Sequence, residues 1–147
     1  MKVKVKVLRR GAELPMKAHE SDFCYDVVAT SCEEVAPGVF RYGTGLSFEI
    51  ERGGFDGSVV YGIDLRPRSS VWKTGMVLSN CCGTIDEGYR GEVMAVFYHV
   101  LRHLPRYKVG DRIGQIKLGA TEPMEFVVVD ALSATERGAG GYGSTGE

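Results

Sequence analysis

The sequence lacks a surplus of either charge: 18 Lys and Arg stand against 19 Asp and Glu, a formal net charge of −1. Binding to a nucleic-acid polymer draws on a concentrated excess of cations that displaces counterions from phosphates, so no such partner is expected. The one basic cluster, Lys2, Lys4, Lys6, Arg9 and Arg10, alternates with Val3, Val5 and Val7. That is the pattern of an edge strand whose lysines discourage sheet-to-sheet aggregation. Also missing is the run of about 18 apolar residues that a membrane-spanning helix needs, and no apolar stretch follows the basic start as in a secretion signal. A cytoplasmic protein without membrane insertion is the expectation. Cys24, Cys32, Cys81 and Cys82 form no CxxC pair, and two of them are adjacent, a poor geometry for a shared zinc or a disulfide. They are read as free thiols. His99 and His103 have the spacing of helix-borne zinc ligands but no HExxH glutamate, and on a strand they would stand about 13 Å apart; they are read as surface residues. Without a Gly-Lys-Ser/Thr loop, a Cys–His pair or a Ser–His–Asp set, neither a Walker site nor covalent catalysis has support.

What is present is a chain of one-domain size, 147 residues, made of short alternating runs separated by Gly, Pro, Asp and Asn, the pattern of an all-β barrel or sandwich. The expected strands are Val3–Leu8, Tyr25–Ala29, Thr44–Glu51, Ser58–Leu65, Met76–Ser79, Glu92–Val100, Ile113–Leu118 and Glu125–Val129. Val93, Val96, Phe97, Val100, Leu101 and Leu104 also fit a helical stripe. Val, Phe and Tyr content between Val93 and Val100, with Pro105 close behind, favours strand. A helical turn over Ser69–Thr74, capped by Ser and ended by Gly75, is expected. From Arg137 onward the composition breaks: glycines dominate and no large aliphatic side chain remains. The chain therefore divides into a barrel, 1–136, and a mobile glycine-rich lid, 137–147.

Five segments carry groups suited to a nucleotide. In the tail Arg137-Gly-Ala-Gly-Gly-Tyr-Gly-Ser-Thr-Gly146, glycines open backbone N–H groups to phosphate oxygens. Ser144 and Thr145 add donors, and Arg137 adds a planar fork. Tyr142 is placed to stack on a base. Gly138, Gly140 and Gly143 match GxGxxG, but no βαβ unit surrounds them. Plain disorder explains the glycines equally well. In Asn80-Cys-Cys-Gly-Thr-Ile-Asp-Glu-Gly-Tyr-Arg-Gly-Glu92, Asp86 and Tyr89 flank an expected hairpin turn. Asp86 is a candidate base for water attacking phosphorus, or else a turn former beside Glu87. Arg66-Pro-Arg-Ser-Ser70 sets cations and hydroxyls before a helical turn, a good anion seat, or simply a surface turn. Gly110-Asp-Arg-Ile-Gly-Gln115 presents an amide. Ser21-Asp-Phe-Cys-Tyr-Asp26 offers a carboxylate for the water shell of Mg²⁺, which meets protein through few carboxylates plus substrate phosphates; a charged strand edge reads the same.

Taken in order, these five segments resemble the five motifs of the homotrimeric dUTPase family over Ser21 to Gly146. The tail and Gly83-x-Ile-Asp-x-x-Tyr-Arg-Gly91 are the most specific matches. The resemblance implies a jelly-roll β-barrel of the β-clip type and a homotrimer with active sites shared at subunit boundaries. It also implies Mg²⁺-assisted hydrolysis of dUTP to dUMP and pyrophosphate, which limits uracil incorporation into DNA and supplies dUMP for thymidylate synthesis. By position, Asp86 would activate the attacking water, and Tyr89 would pack under the deoxyribose. Asn80 and the backbone through Gly83 and Ile85 would read uracil. Arg68, Ser69, Ser70 and Gln115 would contact phosphates, with Asp26 holding metal-bound water. Arg137, Gly143, Ser144 and Thr145 would grip the β and γ phosphates while Tyr142 covers the base. Phe23 and Cys24 stand where the family carries Ala-Gly, and Ser70 where glycine is common. Eleven tail residues extend to about 36–40 Å against a radius of gyration near 15 Å, so the tail can reach a neighbouring copy.

Three other readings compete. A dCTP deaminase of the same fold would lack the Arg-Gly-x-Gly-Gly tail, and a nucleotide-responsive regulatory protein would use the same pocket without turnover. RNA binding through the tail is disfavoured by near-neutral charge and by a single Arg–Gly pair.

Overall fold

The structure, a computed structural model, describes residues 1–52 and 59–141. Alternation along the chain becomes ten strands: β1 (Lys2–Val7), β2 (Tyr25–Val28), β3 (Ser31–Ala36), β4 (Val39–Gly43), β5 (Leu46–Glu51), β6 (Val60–Arg66), β7 (Met76–Leu78), β8 (Gly83–Asp86), β9 (Met94–His99) and β10 (Arg112–Thr121). Seven of the eight expected strands correspond to one of these. Ser58, the expected start of β6, lies outside the described residues. All pairings are antiparallel, in three sheets ordered β1-β5, β2-β10-β6-β8 and β3-β4-β9-β7. β10 lies between β2 and β6, with Gln115 opposite Asp26 on one side and Arg66 on the other.

Period-two burial builds the core. Along β6, Tyr61, Ile63 and Leu65 point inward while Asp64 and Arg66 face out. Tyr42, Phe97 and Tyr107 meet edge to face, with centroids 5.5–6.2 Å apart. The buried Tyr42 hydroxyl donates to the Tyr107 carbonyl at 2.9 Å, so the aromatic cluster has a polar tie where a lone phenol would be costly to bury. Burial pushes both phenol pKa values up. β1 is the expected edge strand, paired only to β5, and Lys4 bridges to Glu49 at 2.8 Å.

Several expectations are corrected. Residues 125–129 form no strand here, and Phe126 and Val128 are 86% and 99% exposed. An alternating run becomes a strand only when a sheet edge accepts its hydrogen bonds, and among the described residues none does. The β3–β4 hairpin was not anticipated; its Pro37-Gly38 turn, with Gly38 at φ 78°, was the available signal. Residues 83–86, not among the expected strands, form strand β8 against β6, while the expected turn between Asp86 and Tyr89 is present. The turn over Ser69–Thr74 is a 3-10 helix whose N-cap is Arg68, with no side-chain cap, so no serine caps it. Gly75 does end it, in the left-handed region at φ 62°. His99 is half-buried, its Nε2 3.0 Å from the Leu104 carbonyl and its ring against Phe40. It packs into the fold and is not a surface residue.

A Cβ at Gly75 would stand 2.5 Å from the Leu101 carbonyl oxygen as well as in a left-handed backbone. Gly75→Ala is therefore expected to destabilise the protein by more than the 1–2 kcal/mol of left-handed strain alone. Phe97→Ala, at a side chain 1% exposed, is expected to cost about 3–5 kcal/mol. Urea unfolding of the two variants checks both.

Candidate active site

The residues singled out by sequence gather in two clefts. The first, of about 430 Å³, is lined by Asp26, Arg68, Ser69 and Gln115 with Asp22, Phe23 and Cys24 among the rest. Asp26 enters from β2, Gln115 from β10, and Arg68 and Ser69 from the start of the 3-10 turn that follows β6. Antiparallel register makes the gathering automatic, since Asp26, Gln115 and Arg66 form one row across three strands. Arg68 donates from Nε to Asp26 Oδ1 at 3.0 Å, and its Nη1 lies 3.5 Å from the Ser70 hydroxyl. Gln115 donates from Nε2 to the Pro67 carbonyl at 3.1 Å, holding the Pro-Arg-Ser turn against the sheet. Phe23, where a small residue was expected, projects into solvent at 78% exposure.

The second cleft, of about 300 Å³, is lined by Asn80, Gly83, Thr84, Ile85, Asp86 and Tyr89 from the β7–β8–β9 region, facing Arg41, Met94 and Val96. Asp86 ends β8, and the Tyr89 amide donates to its carbonyl at 3.0 Å, closing a turn. The Asp86 carboxylate is exposed and has no hydrogen-bond or ion-pair partner among the described residues. Its neighbour Glu87 differs: Arg52 grips it through Nε and Nη2, both at 2.5 Å, and holds its pKa below the usual range. Of the two adjacent acids, Glu87 is paired with a cation and Asp86 is not. Tyr89 donates to the Glu92 carbonyl at 3.1 Å, fixing its ring at the mouth. Cys81, before the cleft, is the one non-glycine at positive φ (54°) among the described residues.

The two clefts are separate. Asp86 pairs with Gly62, and Gln115 with Arg66, four positions further along β6, about 13 Å at 3.3 Å per residue. The resemblance implied active sites shared at subunit boundaries; within a single chain the candidate residues fall in two clefts. Arg137 donates from Nε to the Gly140 carbonyl at 3.1 Å, within its own tail. Tyr142, Gly143, Ser144 and Thr145 lie outside the described residues. Sequence reasoning assigned no role to Arg112, whose Nη1 donates to Asp26 Oδ2 at 3.0 Å, or to the Arg52–Glu87 pair. Arg112 stands inside a motif already noted, but its contact depends on strand register, which no local pattern reveals. All four cysteines are free thiols, and no helix among the described residues is long and apolar enough to cross a membrane.

Antiparallel sheets with an Arg- and Ser-lined cleft at one end of a sheet and, at the other, a carboxylate with no partner among the described residues define an all-β protein of the β-clip class. The dUTPase family profile matches residues 10–146. Deoxyuridine 5'-triphosphate nucleotidohydrolases are similar over the whole chain: that of Nautilia profundicola is 36% identical, covering all of both chains, and that of Anaeromyxobacter sp. is 38% identical, covering 99% of each. Among solved structures, Staphylococcus bacteriophage 80alpha dUTPase with dUPNHPP superposes with a TM-score of 0.77 over 99% of each chain at 24% identity, a likeness of fold. The chain belongs to the dUTPase family, and its fold is the jelly-roll β-clip.

Between the two clefts, on the outer face of the same sheet, Asp64 Oδ2 accepts from Lys117 Nζ at 2.9 Å and Arg66 Nη2 at 3.4 Å. The Lys117 hydrogen bond is the chief cause of a lowered Asp64 pKa. A carboxyl lowered on folding contributes stability above its unfolded pKa, near 4, and loses it as pH falls through the lower folded value. Asp64→Asn is expected to flatten stability-against-pH curves on that acid limb, measured by urea unfolding from pH 6 downward.

Proposed function

We propose that this chain hydrolyses dUTP to dUMP and pyrophosphate in a homotrimer, with the phosphates held in the Asp26 cleft of one copy and Asp86 supplied by another. Homologous enzymes over the whole length make the chain a dUTP diphosphatase, an activity that limits uracil incorporation into DNA and supplies dUMP for thymidylate synthesis. The observation that carries the shared site is the separation of the two clefts, each holding half of the needed chemistry. Two apolar features support several copies. Residues 122–132 leave Met124, Phe126, Val128 and Leu132 facing solvent, and a groove of about 460 Å³ is lined by Met1, Val3, Val5, Leu14, Tyr25 and Leu118. A second copy that accepts the alternating segment would remove both from water.

In this reading Asp86 accepts a proton from water as the water oxygen bonds to the α-phosphorus, and the bond to the bridging oxygen breaks to release pyrophosphate. The exposed Asp86 carboxylate has no cation partner among the described residues and is open to water, whereas Glu87 is paired with Arg52, which holds its pKa down. Asn80 and the backbone from Gly83 through Ile85 read uracil, and Tyr89 packs under the sugar. Arg68, Ser69 and Gln115 bind phosphate oxygens, with Ser70 steadying the Arg68 guanidinium. The lid 137–147 adds Arg137, Tyr142, Gly143, Ser144 and Thr145, closing over the barrel 1–136.

Asp26 fits a role toward Mg²⁺. Its two oxygens offer about four acceptor positions, of which Arg68 and Arg112 take one each, so water held by a magnesium ion has somewhere to bond. When bound, the ion would neutralise phosphate charge and orient the chain of phosphates. Free thiols accord with a cytoplasmic setting.

Pyrophosphate release from dUTP, with Mg²⁺ and without it, tests the reaction; ammonia from dCTP would favour a deaminase, and tight dUTP binding without turnover a regulator. Asp86→Asn is expected to lower turnover by about 10² to 10⁴ at saturating substrate, and unchanged turnover would remove Asp86 as the base. Truncation after Glu136 is expected to abolish most activity while sedimentation still reports a trimer.

A further inference from the structure

We propose that Arg112 is a positioning residue for this reaction: it anchors the Asp26 carboxylate so that Arg68 can turn to the phosphates. The inference rests on the roles given above to Asp26 and Arg68. Asp26 is largely enclosed, its side chain 14% exposed, and it is held from two sides, by Arg68 Nε on Oδ1 and by Arg112 Nη1 on Oδ2, each at 3.0 Å. These two cations are not equivalent. Arg68 belongs to the cleft wall with Ser69 and Gln115, where an incoming triphosphate competes for its N–H groups. Arg112 does not line that cleft. It stands opposite Val28 on β2, so Asp26, two residues away, is its diagonal neighbour on the same face, within reach of a long side chain.

The register makes the anchor possible. A bulge in β10 between Arg112 and Gly114 shifts the pairing so that Gln115, and not Gly114, opposes Asp26. Gln115 thereby reaches the Pro67 carbonyl while Arg112 remains beside Asp26. Gly114 beside the bulge leaves little room for a side chain, since a Cβ would stand 3.0 Å from the Arg66 carbonyl oxygen and from Leu65 Cδ1.

Two anions then meet in one cleft when substrate binds, the triphosphate and Asp26. If Arg68 donates to phosphate, a carboxylate with no second cation would be enclosed, charged and free to swing. Arg112 keeps it compensated and aimed. Groups that orient a metal-site carboxylate from behind in this way typically alter metal affinity or activity by about 10–100-fold when removed. The contact is a single N–H···O hydrogen bond, so a lysine can replace it in charge and reach.

The test is calorimetric binding of a non-hydrolysable imido analogue of dUTP and of dUMP, each with Mg²⁺ and without it, to wild type, Arg112→Gln, Arg112→Lys and Asp26→Asn. Arg112→Gln is expected to weaken Mg²⁺-dependent binding of the analogue about 10–100-fold and to leave dUMP binding unchanged, with Arg112→Lys restoring most of the loss. Analogue binding by Arg112→Gln equal to wild type would overturn the proposal. So would an equal loss for analogue and dUMP with a lowered melting temperature, which marks a purely structural residue. Asp26→Asn separates the two layers of argument: wild-type Mg²⁺ dependence in that variant refutes the assignment of Asp26 itself. A weakened Asp26→Asn beside a normal Arg112→Gln refutes only the role of Arg112.

Discussion

Strand β10 is held on both edges, and the position of Gln115 between Asp26 and Arg66 is the constraint from which the phosphate cleft follows. Past the bulge the side chains of β10 alternate, so a slip of one residue would carry Gln115 into the core and bring Ile116 to the surface. Ile113 is fully buried and Ile116 6% exposed, and their burial fixes the register more firmly than any contact in the cleft itself. The hydrophobic pattern of one strand thus places an amide, a carboxylate and an arginine-bearing turn together, although they are far apart in the chain.

Local electrostatics resolve an apparent contradiction between a polyanionic substrate and a nearly neutral protein. Cations of the phosphate cleft are balanced in the free protein by Asp26, those on the sheet face between the clefts by Asp64, and Arg52 by Glu87. Under the proposed function a substrate phosphate would enter by exchanging partners with Arg68, not by meeting a standing positive field. Such a site gains selectivity for a ligand whose charges match several positions at once, since each uncompensated guanidinium would otherwise return to its carboxylate. It also avoids the indiscriminate attraction to polyanions that an unbalanced basic surface carries.

Much of the fold was legible in sequence because one face of each long strand is buried. β5, β6, β9 and β10 carry the core side chains Leu46, Leu65, Phe97 and Ile113, and their alternation announces them. β3 was illegible for the converse reason. Ser31–Ala36 is polar or exposed along nearly its whole length, so hydrogen bonding to β4, and not burial, makes it a strand. Residues 125–129 failed in the opposite direction, since the alternation is real but no sheet edge among the described residues accepts it. In the site, residue types were readable from motifs, and Asp26, Arg68, Ser69 and Gln115 do converge. Which residues share a cleft was not readable, because it depends on distances along β6 that motif order does not encode.

The proposed division of the site between copies has an electrostatic side. Asp86 stands some four residues along β6 from the guanidiniums around Asp26. Were both halves formed within one chain at contact distance, Arg68 or Arg112 could pair with Asp86 as Arg52 pairs with Glu87. In the proposed assembly Asp86 would meet the Arg68 guanidinium only across a subunit boundary, with phosphate between them, so the two would not pair before substrate arrives.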